Sequence, residues 1–238
     1  MKKFEQELAE LRRRVVEMGN TTEIMVRQSI DSVFNLQDNT LVQSVLNKEE
    51  HVDRMQLEID KEAIRLLTVY SPVATDLRFI LSVTRITAEL ERIGDHATNI
   101  CENVQLMVAK TEAAPLPEVQ KMADIVRVMV CDALDAFVQG DYRKAQSVVA
   151  HDDIVDAVND QIIEELLSDE VVREVITGPK DIAGALAQIL IARSLERIAD
   201  QATNISEEVV YMVKGDDIRH QSPGSSKDTD DGITSTDH

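Results

Sequence analysis

The chain has 238 residues, and 44 aspartates and glutamates outnumber 25 lysines and arginines, which gives a formal net charge of −19. Because such an acidic surface repels phosphate backbones, we expect no direct nucleic-acid binding. The charge instead favours cation binding or a basic protein partner. Only 3% of the residues are aromatic, and there are just 8 glycines and 5 prolines. This composition predicts an all-α fold.

Cysteine usage and hydropathy indicate a cytoplasmic protein. Cys101 and Cys131 have no CxxC spacing, so we expect neither a disulfide framework nor a thiolate metal site. The N-terminal stretch "MKKFEQELAELRRR" has no apolar core, so no signal peptide is expected. The most apolar run, residues 182–192, is too short to cross a bilayer. Any membrane association is therefore expected to be peripheral.

Three helices are predicted in the first part of the chain. The first covers about residues 4–36 and is followed by "QDNT", where Asp38 can cap the second helix. The second helix continues to about residue 70. Ser71 is the predicted N-cap of the third helix, with Pro72 at its first position. The third helix ends near residue 110.

A second set of three helices is predicted after the linker "KTEAAPLPE". Its two breaks are "QGD" at residues 139–141 and "TGPK" at residues 177–180. The segment between these breaks is predicted to be one helix. After Gly215 the chain is polar and aperiodic, which is typical of disorder. The predicted organisation is thus a first unit at 1–112, a second unit at 113–215 and a disordered tail at 216–238.

An internal duplication relates the two units. "LERIGDHATNICENV" at residues 90–104 and "LERIADQATNISEEV" at residues 195–209 share eleven of fifteen positions, at an offset of 105. At an offset of 103, Phe34 matches Phe137 and Asp38 matches Asp141. The repeat is about a hundred residues long, so each copy is a domain-sized unit. The prediction is two tandem three-helix bundles.

Both copies of the repeated helix carry an apolar seam with alternating spacings of three and four residues. The seam consists of Val83, Ile86, Leu90, Ile93, Ala97, Ile100, Val104 and Met107, and in the second copy of Ile191, Leu195, Ile198, Ala202, Ile205, Val209 and Met212. This spacing is typical of helices that pack in a bundle, so the seam is predicted to be core.

Acidic residues four apart lie off the seam, in two pairs per unit. The pairs are Glu49 with Asp53, Glu91 with Asp95, Asp152 with Asp156, and Glu196 with Asp200. Like charges at this spacing repel by roughly 0.2–0.5 kcal/mol per pair on a helix. Four such pairs in one chain favour a bound cation.

The acidic pairs of each unit are predicted to converge, because their residues are equidistant in sequence from the turn that joins the two helices. The midpoint of Asp53 and Glu91, and that of Glu49 and Asp95, is residue 72; in the second unit the corresponding midpoints are both residue 176. Antiparallel neighbouring helices would therefore bring four carboxylates to one height in each unit, roughly 30 Å from the turn. An oxygen-only set suits Mg, Mn, Ca or ferric iron, in a multinuclear cluster if several ions bind, and suits zinc less well.

A solvated acidic face is the alternative interpretation of these pairs. In that case the repeated Arg92 and Arg197 would neutralise the carboxylates, and no metal would bind. His96 becomes Gln201 in the second copy, so we interpret it as a surface residue with an optional ligand role. The sequence leaves the metal and the solvated interpretations both open.

The motifs "EEHVD" at 49–53, "ERIGD" at 91–95, "DDIVD" at 152–156 and "ERIAD" at 196–200 resemble the repeated E(D)xxxD motifs of the PhoU family. The resemblance covers about residues 4–220. It implies a cytoplasmic, often dimeric protein that holds multinuclear iron or zinc clusters on its surface. It also implies negative regulation of phosphate uptake and of the phosphate-starvation response. The implied partners are the ATPase subunit of the phosphate ABC transporter and the sensor histidine kinase.

Two other functions are alternatives to this one. A di-metal carboxylate enzyme would need Glu-x-x-His ligands that project into the bundle, and no glutamate stands three residues before His51, His96, His151 or His220. Nucleophile motifs and glycine-rich phosphate loops are also absent from the sequence, so we expect no catalytic or cofactor-binding residues. A metal-free acidic scaffold is the other alternative, in which the carboxylates act through charge alone.

Overall fold

A computed structural model describes residues 2–110, 114–167 and 179–219, and these residues form seven helices and no strand. The first unit contains α1 (Lys2–Phe34), α2 (Asn39–Tyr70) and α3 (Ala74–Lys110). The second contains α4 (Pro117–Gln139), α5 (Tyr142–Val149), α6 (Asp152–Leu166) and α7 (Pro179–Lys214). The predicted all-α fold, with two tandem helical bundles, is confirmed.

The connection between α2 and α3 differs from the prediction. Asp38 does cap α2, because its side chain accepts a hydrogen bond from the amide of Thr40 at 3.0 Å. Ser71, however, is the C-cap of α2: it has a left-handed φ of 45° and donates its amide to the Leu67 carbonyl. Since Pro72 has no amide to donate, α2 cannot continue. The prediction of Ser71 as an N-cap is wrong, and α3 begins at Ala74.

The predicted long helix after residue 141 is interrupted at Ala150 and His151. The His151 amide donates to Val148, three residues back, and the His151 ring nitrogen Nδ1 lies 2.6 Å from the Ser147 carbonyl oxygen. A side chain thus takes the place of the regular backbone bond, which ends α5. As a result Asp152 stands in the first turn of α6, where the helix dipole favours a negative charge.

The apolar seam lies in the core, as predicted. All of its members are buried, from Val83 to Met107 in α3 and from Ile191 to Met212 in α7. Helices α3 and α7 also pack against each other, so the two repeated helices form the centre of the molecule. At the other contact between the units, Gly19 of α1 faces Leu134 of α4, where an added Cβ would lie 2.7 Å from the leucine side chain.

Residues beyond Gly215 remain in contact with the bundle as far as the structure describes them. Ile218 packs against the core, and Arg219 donates to Glu208 at 3.0 Å. The boundary predicted for the tail therefore moves beyond Arg219. The remainder of the predicted tail, residues 220–238, lies outside the described residues. No helix in the described part of the chain is long and apolar enough to cross a membrane.

Candidate metal centre

The first acidic cluster consists of Glu49 and Asp53 on α2 and Glu91 and Asp95 on α3. Asp53, Glu91 and Asp95 each place one carboxylate oxygen within 4.8 Å of the other two. The antiparallel α2 and α3 bring these oxygens to one height, where the count from the turn places them. Such a set of oxygens can ligate a hard divalent or trivalent cation.

Burial and mutual repulsion raise the pKa of carboxyls in the first cluster. Loss of water raises the pKa of Glu49, with further contributions from the charges of Asp95, Asp53 and Glu102. The pKa values of Glu91 and Asp95 are raised by burial first and then by neighbouring carboxylates. An acid neutralised by an arginine would have a lowered pKa. Arg92 lowers the pKa of Glu91 without reversing this rise, so the protein compensates the charge of the cluster only in part.

The second acidic cluster consists of Asp152 and Asp156 on α6 and Glu196 and Asp200 on α7. Burial raises the pKa of Asp200 to about 6, aided by the charges of Asp152, Glu196 and Asp156. Burial also raises the pKa of Asp152. All four sequence-predicted residues therefore lie close enough to interact. Among the described residues, however, the 4.8 Å grouping of three ligand atoms occurs in the first unit alone.

Hydrogen bonds within the second cluster account for this difference. The Asn159 amide donates to Glu196 at 3.1 Å, and the Thr203 hydroxyl donates to Asp152 at 3.1 Å. Arg197 lies 3.7 Å from Asp200. These partners hold the carboxylates individually, so closer convergence would require them to turn toward a shared ion.

Sequence reasoning missed Asn159 as a member of the second cluster. Its side chain is 8% exposed, and its Oδ1 atom has no hydrogen-bond partner among the described residues. A buried amide oxygen without a partner is a candidate ligand for a hard cation. The signal was available, because Asn159 lies three residues after Asp156 and seven after Asp152, on the same face of α6.

The two repeated arginines offset the charge of the clusters only in part, because they lower the pKa of Glu91 and of Asp200 less than burial and the neighbouring carboxylates raise it. Arg92 pairs with Glu89 at 2.8 Å, outside the acidic pairs. Arg197 contacts Asp200 at 3.7 Å, yet the pKa of Asp200 is still raised. His96 is half-buried, and burial together with the charge of Arg197 lowers its pKa. None of the histidines of the described chain joins the compact oxygen grouping.

Comparison with known proteins connects this geometry to one family. The family model described as the PhoU domain matches residues 15–104 and 119–209, once in each unit. The chain belongs to the PhoU family. Each PhoU match contains two of the acidic pairs. Each copy of the duplication therefore corresponds to one PhoU domain with one helical bundle and one acidic cluster.

Individual PhoU relatives agree over most of the chain. A Pseudomonas putida phosphate-specific transport system accessory protein PhoU homolog is 38% identical, covering 91% of this chain and 83% of that protein. The Escherichia coli protein of that name is 31% identical, with 91% and 88% coverage. The crystal structure of PhoU from Pseudomonas aeruginosa has a TM-score of 0.83 at 33% identity and covers 90% of this chain and 100% of that one.

Proposed function

We propose that this protein is a metal-binding adaptor that negatively regulates phosphate uptake and phosphate-starvation signalling. Relatives named as accessory proteins of the phosphate-specific transport system support the phosphate role. The observation that carries the metal role is the convergence of Asp53, Glu91 and Asp95 oxygens within 4.8 Å. Ionised carboxylates held this close repel one another, and a cation removes that repulsion.

The residues fit a metal of the hard class. The first cluster would bind it through Glu49, Asp53, Glu91 and Asp95, and the second through Asp152, Asp156, Glu196 and Asp200. Magnesium or manganese suits the oxygen-only donors best. Iron or zinc is the expectation from the family resemblance, and several ions in one cluster would share the bridging carboxylates. The metal serves here to fix the helix surface and its charge, since adaptors act through protein contacts.

The proposed partners are the ATPase subunit of the phosphate ABC transporter and the sensor histidine kinase of the phosphate regulon. Both would be met in the cytoplasm, with the membrane approached through these partners alone. A homodimer is proposed from the resemblance. In phosphate-rich cells the adaptor would bind both partners and hold kinase signalling off.

The two alternatives predict different outcomes. A di-metal enzyme is disfavoured because the clusters lie beside the apolar seam rather than within it, and their oxygen sets include no histidine in the described chain. A metal-free scaffold predicts that metal removal leaves partner binding intact while Glu91→Gln abolishes it. The adaptor proposal predicts that metal removal and Glu91→Gln both weaken binding.

A genetic experiment tests the regulatory role. Deleting the gene should raise phosphate-starvation gene expression in phosphate-rich medium, and the wild-type gene should restore repression. A gene encoding Glu91→Ala, Asp95→Ala, Glu196→Ala and Asp200→Ala should fail to restore it. Glu50→Gln, next to the first cluster on an exposed side chain, is the matched control and should restore repression. Unchanged expression after deletion would count against the regulator.

A further inference from the structure

A groove between α3 and α7 collects positive charge in this strongly acidic chain. The groove has a volume of about 280 Å³ and is here named the arginine groove. Its lining residues are His96, Asn99, Asn103, Leu190, Arg193, Ser194 and Arg197. No carboxylate is among these lining residues, although the chain has 44 aspartates and glutamates.

The two arginines of the groove are weakly engaged. Arg193 is exposed and makes no hydrogen bond or ion pair with the described residues. Arg197 has one ion pair in the described chain, to Asp200, at the long distance of 3.7 Å. Half of the Arg197 side chain remains exposed, at 49%. Both guanidinium groups therefore keep donors available for an external acceptor.

The duplication provides an internal comparison at the other end of the α3–α7 pair. At the offset of 105, Ser194 corresponds to Glu89, Asn103 to Glu208, and Arg193 to Ala88. In this counterpart groove Asn204 donates to Glu89 and Arg85 donates to Glu208, so both contacts cross between α7 and α3. The two grooves are therefore built in the same way from equivalent positions.

Charge is balanced in the counterpart groove and unbalanced in the arginine groove. Glu89 pairs with Arg92 at 2.8 Å, and Glu208, whose side chain is 5% exposed, pairs with Arg85 at 3.1 Å and Arg219 at 3.0 Å. The arginine groove has neutral residues in place of both glutamates and still has two arginines, with Arg193 in place of Ala88 and Leu190 in place of Arg85. An external anion would restore the balance that the chain's own carboxylates do not supply in this groove.

We propose that the arginine groove binds a phosphate-class dianion, held by Arg193 and Arg197 with the Asn99 amide as a further donor. Arginine suits this ligand because its planar guanidinium donates two hydrogen bonds to one oxyanion. The shared chemistry is that of inorganic phosphate and of the phosphoryl group of a small ester. Because the groove is open to solvent, the dissociation constant is expected on the order of 1 mM. This site adjoins the second acidic cluster, because Arg197 also contacts Asp200, but it does not depend on the proposed regulation.

An NMR titration of the full chain tests the proposal. Metal is removed with a chelator, which is then dialysed away, so that a bound cation cannot itself attract the anion. Sodium phosphate is added at constant ionic strength, with sodium chloride as the reference, while the backbone amides of Asn99 and Arg193 are followed. Saturable shifts at these amides support the site, and shifts equal to those in chloride overturn it. A second titration with glycerol phosphate tells whether free phosphate suffices or an ester binds more tightly.

Matched variants make the test specific. Arg193→Ala should raise the dissociation constant about fivefold, a typical effect for one exposed charged hydrogen bond. Asn103→Glu with Ser194→Glu places carboxylates at the two positions where the counterpart groove has them and should abolish saturation. Arg92→Ala removes the same charge from the counterpart side and should leave the constant within about twofold of wild type. Equal weakening by Arg92→Ala and Arg193→Ala would overturn the proposal, because only the general field would then be measured.

Discussion

The pKa of Asp200 shows that burial and the neighbouring carboxylates of the second cluster disfavour its ionised form. Its ordinary pKa of 3.8 is raised to about 6 by burial and by the charges of Asp152, Glu196 and Asp156. The folded protein therefore binds this proton more tightly than the unfolded chain does. The stabilising contribution of the protonated group is complete below about pH 4 and is lost as the pH rises through about 6. At neutral pH the ionised group destabilises the metal-free fold.

The first prediction concerns Asp200→Asn in metal-free protein. The variant should be more stable than wild type at pH 7.5, because the repelling charge is gone. We expect about 1 kcal/mol, discounted for a side chain that is 35% exposed, or roughly 2–4 °C in Tm. Thermal unfolding followed by circular dichroism checks this. The advantage should vanish at pH 4, and a variant less stable than wild type at pH 7.5 would contradict the assignment.

The second prediction is that a bound metal stabilises the fold at neutral pH, where the ionised carboxylates alone destabilise it. A divalent cation such as manganese should raise the Tm of wild-type protein at pH 7.5 and have little effect at pH 4.5, where protons compete for the carboxylates. Asp95→Asn should reduce the metal-induced rise by half or more. Glu50→Gln, outside the cluster, is the control and should keep the full rise. Equal stabilisation of both variants would assign the effect to general charge screening.

At the scale of elements, the end of α7 depends on a short segment after the helix. Arg219 returns to Glu208, whose side chain is 5% exposed, and Ile218 covers part of the core. Without Arg219, Glu208 would retain Arg85 as its charged partner within the described chain. A buried carboxylate that loses one of two cationic partners destabilises a fold.

The third prediction compares two truncations. A chain ending at Arg219 should unfold at the same temperature as the full chain. A chain ending at Gly215 should be less stable by about 1–2 kcal/mol, from the lost ion pair and the uncovered apolar surface. Thermal or urea unfolding of the three proteins measures this. If both truncations behave alike, the contacts of Ile218 and Arg219 contribute nothing.

The helices and their packing were largely predictable from the sequence, because they follow from periodicity. The seam from Val83 to Met107 has a regular heptad spacing, and its burial is a direct consequence. The height at which Asp53 meets Glu91 and Asp95 followed from counting along antiparallel helices. These features depend on local geometry that repeats along the chain.

The remaining features depend on single contacts that no periodicity encodes. The break after α5 rests on one ring nitrogen of His151 that replaces a backbone donor. Ser71 adopts a left-handed conformation that its sequence context does not require. Thr203 of α7 donates to Asp152 of α6 and so helps to hold the second cluster's carboxylates apart. Such contacts between elements require the tertiary structure to be known.

At the scale of the whole molecule, the duplication has produced two sites with different properties. The first cluster has three oxygens within 4.8 Å, whereas hydrogen bonds hold the carboxylates of the second apart. Metal should therefore bind the first cluster more tightly, because less rearrangement is needed there. The two arginine-lined grooves show the same divergence, since only one of them retains its internal carboxylates.

The fourth prediction follows from this asymmetry. In a titration at pH 7.5, Glu91→Ala with Asp95→Ala should remove the tighter class of metal sites. Glu196→Ala with Asp200→Ala should remove the weaker class and leave the tighter one. Isothermal titration calorimetry separates the two classes, because each gives its own binding step. Loss of the tighter class in the second-unit variant would reverse the order that the geometry indicates.

The most direct test of metal binding by the acidic pairs is the metal content of purified protein. Protein prepared without chelators or a histidine tag is measured by plasma mass spectrometry, beside the variant with Glu91, Asp95, Glu196 and Asp200 all changed to alanine. We predict bound metal in the wild type that is lost in the variant, which would also identify the ion. Metal absent from both, or retained equally by both, would contradict the claim and leave the carboxylates as an acidic docking surface.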